Sequence, residues 1–521
     1  MNWQAHLPAL LLAVPLLGAF ATPLFSLGGK TLRNAWFIVV STFVFLIALA
    51  LWHEVSVSGI LVYVMGGENF ALTLPSGMKY PVRIILEIDA LSAFMVLAGS
   101  ITSMAGAWFT LSYMDRFTGI SRFISLYFLL TVGMLGMMVT GDLFNFFVFI
   151  EIASVASYGL VAFWRDKPQA VEASFKYMLL SQVAAMLVLL AVGFLYGKYN
   201  VLNMGALGSV MQMGLVEKFA LAMLFSALAL KCGAFPMYLW IPDAYAEAPA
   251  SVSCLLVTVS QASLYGIFRV AFSVYGLSMT NSVVAWAMIV LGLLSMLIAV
   301  SMAVVQHEVK RLMSYHAISQ TGYMLLGVGI GLLVLADPQA LAEYGFTAIK
   351  GGVFHIFNHA MYKGLLFLTA GTLFYMTGTR DLNKMGGLIR KSPITATMFL
   401  IAAAAIAGLP PMNGYASKLL IYQSSFAIHP FITVVALVTS VLTLASFVKV
   451  FQTAFLGPEH KALVNAKKVP ATMIIGMGML TVAILLLTFF PTWALSNLVE
   501  PAAKALVDQA GYIAAIMGGA F

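Results

Sequence analysis

The stretch Leu228-Ala-Leu-Lys-Cys-Gly-Ala-Phe-Pro236 sets a lysine, Lys231, inside an otherwise apolar helix. An ammonium near the centre of a bilayer costs several kcal/mol, roughly 2.5 to 3.5 on insertion scales, so such a residue marks ion or proton transfer by default. The bilayer itself follows from composition. Of 521 residues, 62% are hydrophobic and only 9% charged, and mean hydropathy is +0.98. Apolar runs repeatedly exceed the roughly 20 residues that cross a membrane, which gives an all-α polytopic membrane protein. The first run, Leu7 to Leu27, has no preceding basic region and carries Pro8, Pro15 and Pro23, so it reads as a retained helix rather than a cleaved signal.

Several function classes are excluded. Cys232 and Cys254 form neither a Cys-x-x-Cys redox pair nor a four-cysteine iron–sulfur site. No Gly-rich loop ending in Gly-Lys-Ser/Thr occurs, and a strand-turn-helix dinucleotide fingerprint does not fit an all-helical chain. No cofactor is therefore expected, and electrons or ATP that drive the protein belong to a partner. The net charge of +8 is scattered through short loops, a topological pattern rather than a nucleic-acid footprint.

The runs place about fourteen spans near 7–27, 34–52, 88–111, 122–140, 142–162, 171–196, 216–240, 250–273, 284–305, 311–336, 345–376, 396–424, 430–456 and 470–492. Loops leaving odd-numbered spans carry Lys30 and Arg33, Arg116 and Arg122, Arg165 and Lys167, Lys310 and Arg311, Arg380, Lys384, Arg390 and Lys391, and Lys461, Lys467 and Lys468. Those leaving even-numbered spans carry only Lys79, Arg83, Lys198 and Lys218. The positive-inside rule turns the first set to the cytoplasm of a plasma-membrane protein, with both termini outside. Two spans should break: the seventh at Gly233, Pro236 and Pro242, and the twelfth at Gly408, Pro410, Pro411 and Gly414. The breaks lie five helices apart, and an odd unit reverses on repeating. The expected division is residues 1–121 for helices 1–3, 122–273 for a first five-helix repeat, 284–456 for its inverted copy, and 457–521 for the last helix and tail.

Glu151 lies about nine residues into the fifth span, near mid-membrane at about 1.5 Å per residue. Paired with an ammonium it can stay charged, and Lys231 is the obvious partner. The competing reading is a structural ion pair locking two helices. His355, His359 and Lys363 recur every fourth residue in Lys350-Gly-Gly-Val-Phe-His-Ile-Phe-Asn-His-Ala-Met-Tyr-Lys363 and make one polar stripe suited to proton relay. Two histidines one turn apart can also chelate a metal, but no neighbouring Glu or Cys completes a set, so no metal site is assigned. Lys418 follows the twelfth-span break, and Lys449 is a lesser candidate that can snorkel. His316 is placed as a relay or as a hydrogen-bonded structural histidine. Asp243 and Glu247 read as caps in the loop after the seventh span.

Five stretches resemble the antiporter-like subunits shared by respiratory complex I, membrane-bound hydrogenase-type complexes and Mrp-type cation/proton antiporters, most closely the Mrp-type D subunit. They are Thr140-Gly-Asp-Leu-Phe-Asn-Phe-Phe-Val-Phe-Ile-Glu151, Lys231-Cys-Gly-Ala-Phe-Pro236, Trp240-Ile-Pro-Asp-Ala-Tyr-Ala-Glu-Ala-Pro249, Val309-Lys-Arg-Leu-Met-Ser-Tyr-His-Ala-Ile-Ser-Gln320 and Gly408-Leu-Pro-Pro-Met-Asn-Gly-Tyr-Ala-Ser-Lys418. The resemblance implies a fourteen-helix fold with inverted repeats and a hydrated polar axis, with Glu151 and Lys231 as the ion pair and Lys418 as the terminal lysine. One position departs. Many relatives carry a lysine four residues before a Tyr-Gly/Ala-x-x-Arg motif, where this chain has Gln261 before Tyr265-Gly-Ile-Phe-Arg269. Glutamine bonds water but holds no proton, so the link from Lys231 to the stripe would run through water, Ser263 or a shifted side chain.

The expectation is a proton-translocating subunit, with Na⁺ as a second candidate ion, working with other membrane subunits in a lipid bilayer. Opening the Glu151–Lys231 pair would release a proton along His359, His355 and Lys363 to Lys418. A stand-alone transporter of an organic solute and a non-conducting scaffold are the rival readings. An enzyme acting alone is the weakest, and an enzyme label would belong to the whole complex.

Overall fold

The computed structural model describes residues 3–65, 71–73, 79–81, 84–278, 282–458 and 466–519; of the loop cations above, Arg83 and Lys461 lie outside these. Helices dominate. In chain order they are α1 Leu7–Leu27, α2 Lys30–Ser58, α3 Ala90–Tyr113, α4 Ile120–Val139, α5 Leu143–Val161, α6 Pro168–Tyr199, α7 Met204–Val210, α8 Leu215–Cys232, α9 Ile241–Glu247, α10 Ala250–Phe268 and α11 Val283–Val304. The second half holds α12 Val309–Leu333, α13 Pro338–Ala340, α14 Phe346–Thr377, α15 Leu388–Lys391, α16 Pro393–Ala407, α17 Asn413–Ile428, α18 Pro430–Val450, α19 Ala471–Phe489, α20 Pro491–Ala494, α21 Glu500–Val507 and α22 Gln509–Gly519.

Among the described residues, ten helices are long and apolar enough to cross a membrane: α1 to α6, α10, α11, α18 and α19, some with short extensions. The remaining expected spans fall on α8, α12, α14 and the α16–α17 pair. These carry Lys231, His316, the histidine stripe and Lys418, so the polar side chains or breaks that make them interesting also dilute their hydropathy.

The interior is built around α10, buried from Ala250 to Phe268, with α3, α12 and α14 also deeply buried. Outer helices turn one apolar face outward. On α6 that face is Phe175, Leu179, Val183, Met186, Leu190 and Phe194, all exposed and spaced three or four apart, as a lipid-facing stripe should be.

Both expected breaks are present, and both start with a left-handed glycine. α8 stops at Gly233 (φ 74°) and α16 at Gly408 (φ 78°). Only glycine adopts this conformation freely, and it closes the last turn by returning its N–H to the carbonyls of Ala229 and Leu230, or of Ala404 and Ala405. The chain then turns and resumes as α9 or α17.

Two expectations need correction. The chain is not all-helical: between α2 and α3, β1 (Leu61–Val64) pairs antiparallel with β4 (Ile85–Ile88), and β2 (Ala71–Thr73) with β3 (Lys79–Pro81). Short runs such as Leu-Val-Tyr-Val favour a pleated, half-buried ribbon and are too brief to span. Asp243 and Glu247 are not in a loop; they sit on α9, the helix that follows the first break. There Asp243 meets Lys176 (3.3 Å) and Arg311 (2.7 Å), and Glu247 meets Arg380 (2.8 Å), which ties α9 to the second half of the chain. The tail is also structured, with α21 packed on α3, and α22 on α7.

Candidate functional site

Lys231 occupies the last turn of α8 and is 6% exposed. Its Nζ donates to Ser154 Oγ on α5 at 2.7 Å and also to Ser181 Oγ on α6. Glu151 lies one turn before Ser154 on α5, so the two side chains share a face. Gln182, next to Ser181, donates its Nε2 to Glu151 Oε2 at 3.1 Å, while Oε1 is buried with no hydrogen-bond partner among the described residues. The expected ion pair is therefore interleaved. Among the described residues the lysine is held by two hydroxyls and the carboxylate by an amide, with the serines standing beside both.

Gln261 reaches the stripe on α14 with its own side chain, while its Oε1 is buried with no partner among the described residues. From α10 its Nε2 donates to the Ile356 carbonyl (2.9 Å) and to His359 Nδ1 (2.7 Å) on α14. An accepting Nδ1 puts the proton of a neutral imidazole on Nε2, and that nitrogen is buried without a partner among the described residues.

His355, one turn earlier on α14, sits at a crossing of elements. Its Nδ1 lies 3.0 Å from Ser417 Oγ on α17, and its Nε2 lies 3.2 Å from Gln320 Oε1 on α12 and 3.1 Å from the Tyr362 hydroxyl. Asn358 and Asn413 pair their side-chain amides at 2.9 Å, which pins α14 to the start of α17.

Lys418 follows Ser417 and is 1% exposed. It donates to the Ile406 carbonyl at the end of α16 (2.8 Å) and to Ser440 Oγ on α18 (2.9 Å), and its Nζ lies 4.6 Å from the centre of the Tyr323 ring. The Ile406 carbonyl belongs to the last turn of a helix, where the backbone dipole favours a cation. Tyr323 and Tyr422 both hydrogen-bond Ser440, at 2.9 and 2.6 Å.

Lys363, the third member of the stripe, lies one turn after His359 on α14. Its Nζ is buried with no polar partner among the described residues, 5.8 Å from the centres of the Phe367 and Phe447 rings. His316 packs its ring on the same Phe447 at 4.8 Å, again with both nitrogens unpartnered among the described residues. Lys449 donates to the carbonyls of Val304 (2.5 Å) and Gln306 (2.8 Å), where it caps the end of α11.

Sequence reasoning missed Ser154, Ser181, Gln182, Gln320, Ser417 and Ser440. Ser154 could have been found, since it falls on the Glu151 face of α5. Serine and glutamine in a helix otherwise carry no signal beyond tolerance, and their partners come from helices distant in sequence. Among the described residues no three His, Cys, Asp or Glu gather into a group that could hold a metal.

Residues 140–443, more than half of the chain, match the family described as NADH:quinone oxidoreductase/Mrp antiporter, transmembrane. The chain is 35% identical over 387 residues to the D subunit of the Na(+)/H(+) antiporter of Alkalihalophilus pseudofirmus, covering 73% of this chain and 75% of that one. It is 30% identical over 520 residues to the N subunit of the NADH-quinone oxidoreductase of Desulforudis audaxviator, covering 95% and 98%. Its fold matches a chain in the structure of the Mrp complex from Dietzia sp. with a TM-score of 0.84 at 26% identity, over 99% of this chain and 100% of that one.

Proposed function

The chain belongs to the NADH:quinone oxidoreductase/Mrp antiporter transmembrane family, and on that premise we propose that it is the proton-moving membrane subunit of a multi-subunit complex. Counting α8–α9, α12, α14 and α16–α17 with the ten apolar helices gives fourteen crossings, in two inverted repeats bounded as the sequence suggests. The loop charges put both termini outside the plasma membrane.

The observation that carries the reading is the set of buried polar side chains Lys231, Gln261, His359, His355 and Lys418, with the half-buried Glu151 beside the first. Burying such groups in an apolar bundle is costly, so their presence there points to transfer. Two states of the first pair follow from its surroundings. In the one described, Ser154 and Ser181 hold Lys231 and Gln182 holds Glu151. In the other, the carboxylate swings to the ammonium. At an effective dielectric of 20, a contact at 4 Å is worth about 4 kcal/mol, or about a thousandfold in proton occupancy. A partner subunit that shifts α5 or α6 can therefore load or unload Lys231. His359 and His355 pass the proton toward Lys418, with Lys363 and His316 as a side branch and Lys449 as a helix cap.

The driving force is redox chemistry or a cation gradient in other subunits. Purification in mild detergent with mass spectrometry of the partners distinguishes them: iron–sulfur subunits mean a redox machine, and small membrane subunits alone mean an antiporter. Proton uptake by vesicles holding the His355→Ala and Lys418→Ala variants of the complex tests the axis. Loss of uptake with intact assembly is expected. A non-conducting scaffold would tolerate both changes, and such tolerance overturns the reading.

A further inference from the structure

The Tyr265-Gly-Ile-Phe-Arg269 motif has no role in the axis, yet it leads away from it. Gln261 and Tyr265 stand four apart on one face of α10, and Arg269 and Ser273 continue that spacing on the π-helical turn Arg269–Tyr275 that extends it. Gln261 touches His359. Arg269, about 12 Å further along the helix, reaches the end of the bundle that carries the strands.

There it enters a cluster drawn from five parts of the chain. Arg269 pairs with Asp89, the N-cap of α3, and donates to the Tyr265 hydroxyl (2.9 Å), Ser92 Oγ (3.2 Å) and Ser273 Oγ (3.3 Å). The hydroxyls of Tyr265 and Ser92 are 2.9 Å apart. Glu87, on β4, accepts from Asn203 Nδ2 and from the Tyr512 hydroxyl of α22, each at 2.5 Å. Tyr512 also lies against the Arg269 guanidinium, with its ring centre at 5.1 Å. Gly141 is required by this packing, because a Cβ there would land on the Glu87 carboxylate.

The charges in this cluster do not balance. Glu87 and Asp89 are 3% and 2% exposed, and they face one guanidinium. A buried charge without a counter-charge is expensive, so two carboxyls against one cation leave a natural place for a proton. Asp89 Oδ2 is buried with no partner among the described residues. Asp89 also lines a cavity of about 200 Å³ with Tyr512, Gly59, Lys504 and Asp508, of which the last two are exposed. An unpartnered oxygen at the wall of a cavity with charged, exposed lining is what a water-borne proton would meet first.

We propose that Glu87, Asp89, Arg269, Tyr265 and Tyr512 form the port through which the axis exchanges protons with water at the strand-bearing end, and that Glu87 is the group that holds the proton there. In uptake, an O–H bond of hydronium breaks, water is left behind, and a carboxylate of the cluster becomes a carboxylic acid; release is the reverse. Tyr265 and Gln261 then mark the way to His359. Burial pushes the Glu87 carboxyl up to about 7, against the opposing pull of Tyr512, Asn203 and Arg269 and with the support of Asp89. Beyond these, Tyr265 stands on the Arg269 side of the cluster, and Lys504 and Asp508 line the cavity.

The inference rests on the proposed proton-moving function, and the test separates the two. The whole complex, reconstituted in vesicles of one orientation, is assayed for proton translocation while pH is varied only on the strand-bearing side. Glu87→Gln keeps the shape and an acceptor for Asn203, while its amide nitrogen would donate to the Tyr512 oxygen in place of accepting from it. It should lower the rate about tenfold and abolish the dependence on strand-side pH, with the dependence on the opposite side unchanged. Tyr512→Phe keeps the carboxyl but removes a donor to its ionised form. It should move the strand-side midpoint upward, and it decides the matter if Glu87→Gln fails to assemble. Wild-type rate and midpoint in an assembled variant overturn the port. Lys231→Ala serves as the control. If it alone stops transport, the function stands and the port falls; if it transports normally, the function itself has failed.

Discussion

Lys231 and Lys418 stand beside matching breaks but are held by different chemistry. Each break begins with a left-handed glycine at the end of a helix half, but only the Lys418 ammonium is seen on a helix-end carbonyl. Lys231 belongs to the last turn before its break, with two serines as partners and a carboxylate nearby. Lys418 belongs to the helix after its break and reaches back to a helix-end carbonyl, a serine and an aromatic face. In the proposed function the carboxylate near Lys231 lets the first site switch, whereas among the described residues Lys418 has only dipoles and an aromatic face around it. A switch at one end and a station without a counter-charge at the other would make the two lysines unequal.

The sharpest way to break this contrast is to exchange the switch for a fixed site. Glu151→Gln removes the counter-charge and leaves the serines in place. Transport should fall about a hundredfold or more with assembly intact, measured as proton flux through the reconstituted complex. Removing the hydroxyls has a smaller effect. In Ser154→Ala/Ser181→Ala, the ammonium loses its alternative partners and stays with Glu151, so flux should drop about tenfold, whereas Ser440→Ala beside Lys418 should cost severalfold less. An equal loss at both lysines would deny that they differ.

The glycines sharpen the comparison further. An L-residue in the left-handed region costs roughly 1–2 kcal/mol, so Gly233→Ala and Gly408→Ala should both lower thermal stability. Their effects on transport should differ. A Cβ at Gly408 would lie 2.9 Å from Lys418 Cδ and displace the lysine itself, whereas one at Gly233 meets Ile241 on α9. Gly408→Ala should therefore lose more flux per unit of lost stability.

A purely thermodynamic effect, with no change in flux needed to read it, is expected at the strand-bearing end. Burial raises the Glu87 carboxyl from its ordinary 4.5 to about 7, so the folded state binds this proton more tightly than the unfolded state. The stabilisation is complete below about pH 4.5 and is lost as pH rises through about 7, a difference of about 3 kcal/mol. Unfolding of the wild type against Glu87→Gln across that window should show the wild type alone losing stability.

The reading from sequence went furthest where a single residue violates its surroundings. Lys231, Glu151, Lys418 and the two histidines are conspicuous in apolar helices, and the Gly and Pro clusters announce both breaks. It went less far where the site depends on which helices touch. Serines 154 and 181 matter because α5, α6 and α8 converge, and no local pattern expresses that. Gln261 looked like a gap in the relay, yet it bridges to His359 because α10 and α14 pack side by side. Lys363 fits the spacing of the stripe, but a helical face is wide enough to send it toward Phe447 and His316 instead. The strands were hidden because a stretch between two long apolar helices reads as a loop when only helical periods are sought.

The most direct test of the account is proton flux through the reconstituted complex carrying Lys231→Ala, with assembly checked on a native gel. The account predicts a complex of normal composition that no longer couples proton movement to its driving reaction. Normal coupled flux in that variant would contradict it.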